Sequence, residues 1–427
     1  MEYQEIIDII ENKRRFGNLP GVVISKRILA AVGNPQKDLQ FVHIAGTNGK
    51  GSTAAFLRSI LTASGIKTGM FTSPHLIDFT ERIQMDGKQI PKEDVVRLGS
   101  RLLELKLDVH PTMFDYCFAM AMLYFKEQGC EIVVLETGLG GRLDATNAID
   151  VPLVSIITKI GYDHTAVLGN TLAEIAAEKA GILKKGTHAI IEGQEREALE
   201  VLLAQCRELQ IPYIVEEPEK ITKTECGFSY QNENVSEMTS YEMRMQGNHQ
   251  SENAIAAILA AKVLRDQGYP VKDGAIHQGI LETFWPGRME IICKEPFLMI
   301  DGAHNGHGVN ALAQSLVALY PGEKFHFIMG VLADKDYQEM FDLILPLAED
   351  VVTLTPESSR ALQGTDLAEY IRQRGVKAEN RENLSEVFAP FIENTKECKN
   401  GKTIAFGSLY FIGEIRKFFT LNLVDTQ

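Results

Sequence analysis

Residues 41–53 read FVHIAGTNGKGST, which is a short apolar strand, a turn punctuated by Gly46, Gly49 and Gly51, and the first residues of the helical pattern STAAFLRSIL. Glycine lets a backbone curl until its N–H groups face inward, and a helix N-terminus adds the positive end of its dipole. A strand, turn and helix in that order cradle phosphate. Gly46, Thr47, Asn48, Gly49, Lys50, Gly51 and Ser52 are therefore the candidate ATP loop, with Lys50 against the β- and γ-phosphates. Ser52 or Thr53 offers a hydroxyl to ligate Mg2+ or to orient a metal-bound water. The run departs from the commonest phosphate-loop pattern at two places: Ile44 stands where its first glycine is usual, and Gly51 separates Lys50 from Ser52.

On either side of this run, strand-like and helical stretches alternate. Residues 68–72, 132–136 and 153–158 read as short buried strands, and 52–63, 91–107, 113–127 and 171–183 as helices. Short apolar strands separated by helices predict an α/β fold with a mostly parallel sheet covered on both faces. Residues 222–245 are polar and less periodic, as a small β excursion would be, and 251–264 is a clear helix. Trp285-Pro286-Gly287-Arg288 and Lys294-Glu295-Pro296 interrupt the pattern, after which the alternation restarts at residue 297. These breaks predict a phosphate-loop ATPase domain over 1–289, a linker over 290–297 and a smaller Rossmann-like α/β domain over 298–427.

Composition narrows the class. The 427 residues are 45% hydrophobic and 23% charged, enough apolar content for several cores without disulfide staples. The six cysteines are scattered and form no CxxC pair, which predicts reduced thiols in a cytoplasmic protein. The amphipathic opening MEYQEIIDIIENKRRFG lacks the basic start and apolar core of a secretory signal, and no apolar run approaches the roughly 18 residues that cross a bilayer. The net charge of −14 argues against nucleic acid as a partner, because phosphate contacts dominate that affinity.

Two side chains stand out by position. Glu136 closes the apolar run IVVLE, so it projects at the carboxyl edge of a sheet, where open α/β folds bind ligands. Leu172, Ile175, Ala176, Lys179, Ile182 and Leu183 follow helical spacing, which puts Lys179 on an apolar stripe. Burial there lowers a lysine pKa and frees its amine; the alternative is a lysine snorkelling from a helix C-terminus.

In chain order come GTNGKGS (46–52), TSPHL (72–76), FTERI (79–83), ETGLGGRLDATN (136–147), DH (163–164), KAGI (179–182), WPGR (285–288), DGAHN (301–305) and GSLY (407–410). In that order they resemble the Mur ligase superfamily, specifically its folylpolyglutamate synthase and dihydrofolate synthase branch. The resemblance implies an ATP-dependent ligase, acting as a monomer, that joins L-glutamate to a reduced folate through an acyl phosphate. It assigns Mg2+ to Ser73, Glu136 and His164 alongside Ser52, and makes Lys50, Lys179 and His164 catalytic, with Lys179 carbamylated. It adds Asn253, Arg288, Asp301 and His304 to the ATP site from across the domain boundary. Folate is expected at Thr72, Ser73, Pro74, Arg82 and Asp144, with Arg142 beside them. Arg142, Leu143 and Asp144 match bifunctional members, which leaves dihydropteroate open as a second substrate. Asp334, Lys335 and Ser408 are candidates for glutamate, with surface-loop charge as the equal alternative. Two rival readings remain: a cell-wall ligase of the same superfamily, and a phosphate-loop ATPase that ligates nothing.

Overall fold

The computed structural model describes residues 1–13, 17–231, 238–333, 337–393 and 401–424. It divides into two compact units, Met1–Arg244 with His249–Phe284, and Met245–Asn248 with Trp285–Gln427.

In the first unit, eight strands form one sheet: β1 (Gln40–Ala45), β2 (Thr68–Phe71), β3 (Ile83–Met85), β4 (Lys88–Gln89), β5 (Ile132–Glu136), β6 (Val154–Ile157), β7 (His188–Ile191) and β8 (Tyr213–Val215), in the order β4-β3-β2-β5-β1-β6-β7-β8. From β2 to β8 all neighbours are parallel, and the β3–β4 hairpin closes one edge antiparallel. Val42, Ile44, Val133, Val134, Ile156 and Ile190 are fully buried, as strands covered on both faces require. β7 and β8 extend the sheet beyond the strands that the apolar pattern marked.

A first core cluster joins helices Tyr3–Glu11, Gly21–Ala31, Lys92–Leu103 and Met113–Glu127 to β2 and β5; a second joins Leu172–Ala180 and Arg196–Leu209 to β6 and β7. Helix Asp273–Glu282 lies so close to helix Lys50–Ala63 that a Cβ on Gly279 would sit 2.5 Å from the Ile60 Cα. The polar stretch 222–245 carries an antiparallel sheet of β9 (Ile221–Thr224), β10 (Gly227–Gln231) and β11 (Met238–Glu242).

The second unit holds β12 (Glu290–Cys293), β13 (Leu298–Asp301), β14 (Phe325–Met329), β15 (Ala348–Thr353), β16 (Ala378–Asn380) and β17 (Lys402–Phe406), in the order β12-β13-β17-β14-β15-β16. Only the β12–β13 pairing is antiparallel. Residues alternate between two clusters along each central strand: Phe325, Phe327 and Met329 on one face, Ile328 on the other. The 290–297 segment expected as a linker instead carries β12 and the turn of an edge hairpin with β13. Lys294-Glu295-Pro296 marks its turn, and a four-residue strand is too short for its pairing to show as a period.

Candidate active site

The sheet order reverses around β1: β5 lies on one side of it and β6 on the other. Loops leaving the carboxyl ends of such strands diverge and open a crevice, the usual ligand position in α/β sheets. The glycine turn leaves β1, Glu136 closes β5, and residues 158–164 leave β6.

The glycine turn is held from behind. The Lys159 carbonyl accepts from the Thr47 and Asn48 N–H groups at 2.9 and 3.2 Å, and Thr158 Oγ1 donates to the Asn48 carbonyl at 2.7 Å. A Cβ on Gly46 would lie 1.8 Å from Thr158 Oγ1, so only glycine fits. Gly49 has φ +89°, and its missing side chain leaves room for Asn253 Oδ1. Asn253 is buried and oriented by Gln250 Oε1, which accepts from its Nδ2 at 3.0 Å. Helix Lys50–Ala63 begins immediately afterwards, with Ser52 buried in its first turn. Lys50 Nζ donates to the Gly46 and Thr47 carbonyls, both at 3.1 Å.

Lys179 reaches the same carbonyl. The apolar stripe does face inward: its side chain is only 3% exposed, and Nζ donates to Gly46 O at 2.8 Å. Burial foremost, then the neighbouring Lys50 ammonium, lower the Lys179 pKa to about 7, with Asp163 and Asp144 pulling the other way. A large fraction of neutral amine at neutral pH is the consequence. Lys50 and Lys179 thus both donate to the one Gly46 carbonyl where the turn begins.

The residues expected to hold metal lie as follows. Glu136 is buried, and its Oε2 accepts from the Ser73 N–H at 3.1 Å, so these two oxygen-bearing residues adjoin. His164 has φ +51° and opens helix Thr165–Leu168; its N–H donates to Asp163 Oδ1 at 2.8 Å. Among the described residues no three His, Cys, Asp or Glu side chains are grouped to hold a metal. Mg2+ does not ask for such a cage: it keeps several waters and takes one or two hard protein oxygens plus phosphate. The Glu136 carboxylate, with Ser73 bonded to it through its backbone N–H and carrying a hydroxyl of its own, supplies oxygens of the kind Mg2+ takes.

The 72–83 loop is shaped by its own charges. The Glu81 carboxylate accepts from the N–H groups of Leu76, Ile77 and Asp78 at 2.7, 2.9 and 2.9 Å. Asp78 in turn accepts from the Tyr3 hydroxyl at 2.7 Å and pairs with Lys92 at 3.1 Å. Arg82, expected to meet folate, is buried and donates through Nε to His75 Nδ1 at 2.8 Å. Burial first and Arg82 second lower the His75 pKa to about 4, so the imidazole is neutral with its proton on Nε2. Asp144 is likewise turned inward: it accepts from Leu139 N, Thr146 N and Thr146 Oγ1 at 2.8, 3.0 and 2.6 Å. Arg142 pairs with Glu178 at 2.6 Å. Of the expected folate set, Pro74 is exposed, Ser73 half-buried and Thr72 buried.

In the second unit, Asp301 closes β13 and accepts from Met289 N and Ala303 N at 2.9 and 2.8 Å. Glu290 accepts from Gly287 N at 2.7 Å and is held by Arg416 at 3.1 Å. Arg288 thus projects from a turn pinned on both sides. His304 Nδ1 lies 2.8 Å from the Gly302 carbonyl. Ser408 is buried, and its Oγ accepts from Phe411 N at 3.1 Å, capping helix Leu409–Val424. Asp334 and Lys335 lie outside the described residues.

Thr158 and Lys159, which back the glycine turn, carry no sequence signal of their own. Their use is made by a neighbouring strand, and only the position just past β6 hints at it.

The Mur ligase middle domain family matches residues 44–261, and the family "Mur ligase, glutamate ligase domain" matches residues 287–405. A Bacillus subtilis (strain 168) protein named dihydrofolate synthase/folylpolyglutamate synthase is 35% identical over 430 residues, covering 97% of this chain and 98% of its own. The solved structure of Mycobacterium tuberculosis folylpolyglutamate synthase complexed with ADP aligns with a TM-score of 0.87 at 29% identity, covering 98% of each chain. Escherichia coli FolC in complex with DHPP and ADP aligns with a TM-score of 0.86 at 25% identity, covering 99% of each.

Proposed function

This chain belongs to the Mur ligase family, in its folylpolyglutamate synthase/dihydrofolate synthase branch, and from that premise we propose that it is an ATP-dependent ligase adding L-glutamate to the glutamyl carboxylate of a reduced folate, with dihydropteroate as a second carboxylate substrate. The observation that carries this reading is the convergence of Lys50 and Lys179 on the Gly46 carbonyl. A cation and an easily neutralised amine meet there, at the mouth of a phosphate-shaped turn.

The chemistry follows from the leaving group. A carboxylate does not acylate an amine because oxide is a poor leaving group, so the folate carboxylate attacks the γ-phosphorus, its P–O bond to ADP breaks, and an acyl phosphate forms. The glutamate amine then attacks the carbonyl carbon, loses a proton and expels phosphate. The protein supplies position and charge. Lys50 exchanges its two backbone carbonyls for the phosphates. Ser73 and Glu136, with Ser52 and His164, would hold Mg2+, which neutralises phosphate charge when bound. Asn253, Arg288, Asp301 and His304 serve the nucleotide. The 72–83 loop and the 139–146 turn receive folate, with Arg82 and Asp144 acting through the loop shapes they hold. Asp334, Lys335 and Ser408 are assigned to glutamate.

The neutral amine of Lys179 suits carbamylation: its lone pair bonds the carbon of CO2, the nitrogen then loses one of its two protons to solvent, and the amine becomes an anionic carbamate beside Lys50. Removing CO2 and bicarbonate is then expected to lower activity reversibly, while unchanged turnover would remove carbamylation from the account. Buried free thiols at Cys117, Cys130 and Cys206 suit a reducing, cytoplasmic compartment. A sedimentation experiment checks the monomeric state.

ADP release is the deciding assay, run with reduced folate, dihydropteroate, glutamate and a nucleotide-linked cell-wall precursor, each omitted in turn. Release that requires folate and glutamate together supports the proposal. Release with the cell-wall precursor, or from ATP alone, overturns it.

A further inference from the structure

Glu192, Gly193 and Gln194 follow β7 directly at the carboxyl edge of the first sheet, and no step of the reaction above uses them. Besides an outlying contact of Glu192 Oε1 with Thr53 Oγ1 at 3.4 Å, their side chains and the Gly193 carbonyl meet the loop after β6. Gln194 Nε2 donates to the Thr158 carbonyl at 3.0 Å, and its Oε1 accepts from Ile160 N at 2.9 Å. Glu192 Oε2 accepts from Lys159 N at 2.8 Å, and Lys159 Nζ donates back to the Gly193 carbonyl at 2.6 Å. Three consecutive residues are thereby gripped. A glutamine amide is suited to this because it offers a donor and an acceptor at fixed separation, as a neighbouring strand would.

The gripped loop bears on the nucleotide in two directions. Backwards, the Lys159 carbonyl takes the N–H groups of Thr47 and Asn48, and Thr47 Oγ1 exchanges hydrogen bonds with Gly161 O and Gly161 N at 3.0 and 3.1 Å. The amides of Thr47 and Asn48 are thus turned to the rear of the glycine turn. Forwards, the same loop runs on to Asp163 and His164. A displacement of residues 158–161 therefore moves the phosphate turn and the start of the His164 segment together.

We propose that Gln194 is a positioning residue for the nucleotide, setting the glycine turn and the 158–164 loop in mutual register through its paired hydrogen bonds to Thr158 and Ile160. The proposal takes from the functional reading only that ATP with Mg2+ occupies the turn.

Two variants test it. Gln194→Ala leaves the buried Thr158 carbonyl and Ile160 N–H without their partner, and is expected to raise KM and Kd for MgATP about tenfold. The KM for the carboxylate substrate should stay within about twofold of wild type. Gln194→Glu carries its own control: ionised at pH 8 it cannot donate to Thr158 O, whereas protonated at acid pH it can. Its MgADP affinity, measured by titration calorimetry, should approach that of wild type as pH falls. An unchanged MgATP affinity in Gln194→Ala, or a uniform loss across all constants with a falling melting temperature, overturns the proposal. If Gln194→Ala cannot be purified folded, a Gln194→Glu affinity that shows no acid recovery relative to wild type overturns it. Nucleotide titration needs no ligation, so failure of the ligase reading shows separately, as wild-type protein whose ADP release ignores the carboxylate substrate.

Discussion

Lys50 and Lys179 share an acceptor and differ in exposure, so they answer different experiments. Replacing Lys50 with Ala removes the cation proposed to stabilise the transferring phosphate, and kcat/KM is expected to fall by about a hundredfold or more, read from steady-state ADP release. Lys179 answers to pH. Its folded pKa is depressed from 10.5 to about 7, so the fold binds fewer protons there than the unfolded chain. The stability this contributes is complete above 10.5 and is lost as pH falls through 7. Glu192 has the opposite sign. Burial first, then Glu252, raise its pKa from 4.5 to about 8, so its contribution is complete below 4.5 and is lost as pH rises through 8. Glu192→Gln should therefore gain stability relative to wild type between pH 5 and 8.5, seen as a rising difference in urea midpoints; a constant difference would refute the assignment. The inward stripe around Lys179 was readable from helical spacing. Glu192 was not: the rule that picked out Glu136, a carboxylate closing an apolar strand, applies to it equally, but HAII is too short to declare itself a strand.

Among the elements, helix Lys50–Ala63 carries the site. It presents its N-terminus to the glycine turn and its flank to helix Asp273–Glu282. Gly279 meets the Ile60 backbone there, and backbone cannot rotate away as a flexible side chain can. Gly279→Ala is expected to cost about 1–3 kcal/mol, measured as a lower denaturation midpoint. The strands β1, β5 and β6 were legible because their apolar runs are bounded by turn residues. The β12–β13 hairpin was not, since an edge pairing is decided by what the neighbouring strand leaves open. Arg82 and Asp144 mark the same limit. Charge in a motif suggests a ligand, yet both satisfy loop hydrogen bonds that no linear spacing reveals.

For the whole molecule, each unit has its own sheet and core clusters. Residues 285–427 carry the complete six-stranded sheet. Expressed alone, this segment is expected to melt in one cooperative transition by circular dichroism, and a featureless melt would contradict that independence. Among the described residues no helix is long and apolar enough to cross a membrane. By itself the sequence determined the α/β class, the glycine turn, the order of the family motifs and the inward face of Lys179. Those properties are local, set by neighbours a few residues away along the chain. Tertiary structure alone decided that Lys50 and Lys179 meet on one carbonyl, that residues 158–161 brace the turn, and that Glu192 and Gln194 brace those residues in turn. Parallel strands adjacent in space are distant in sequence, and which loops meet at their carboxyl ends depends on strand order, which no local pattern encodes.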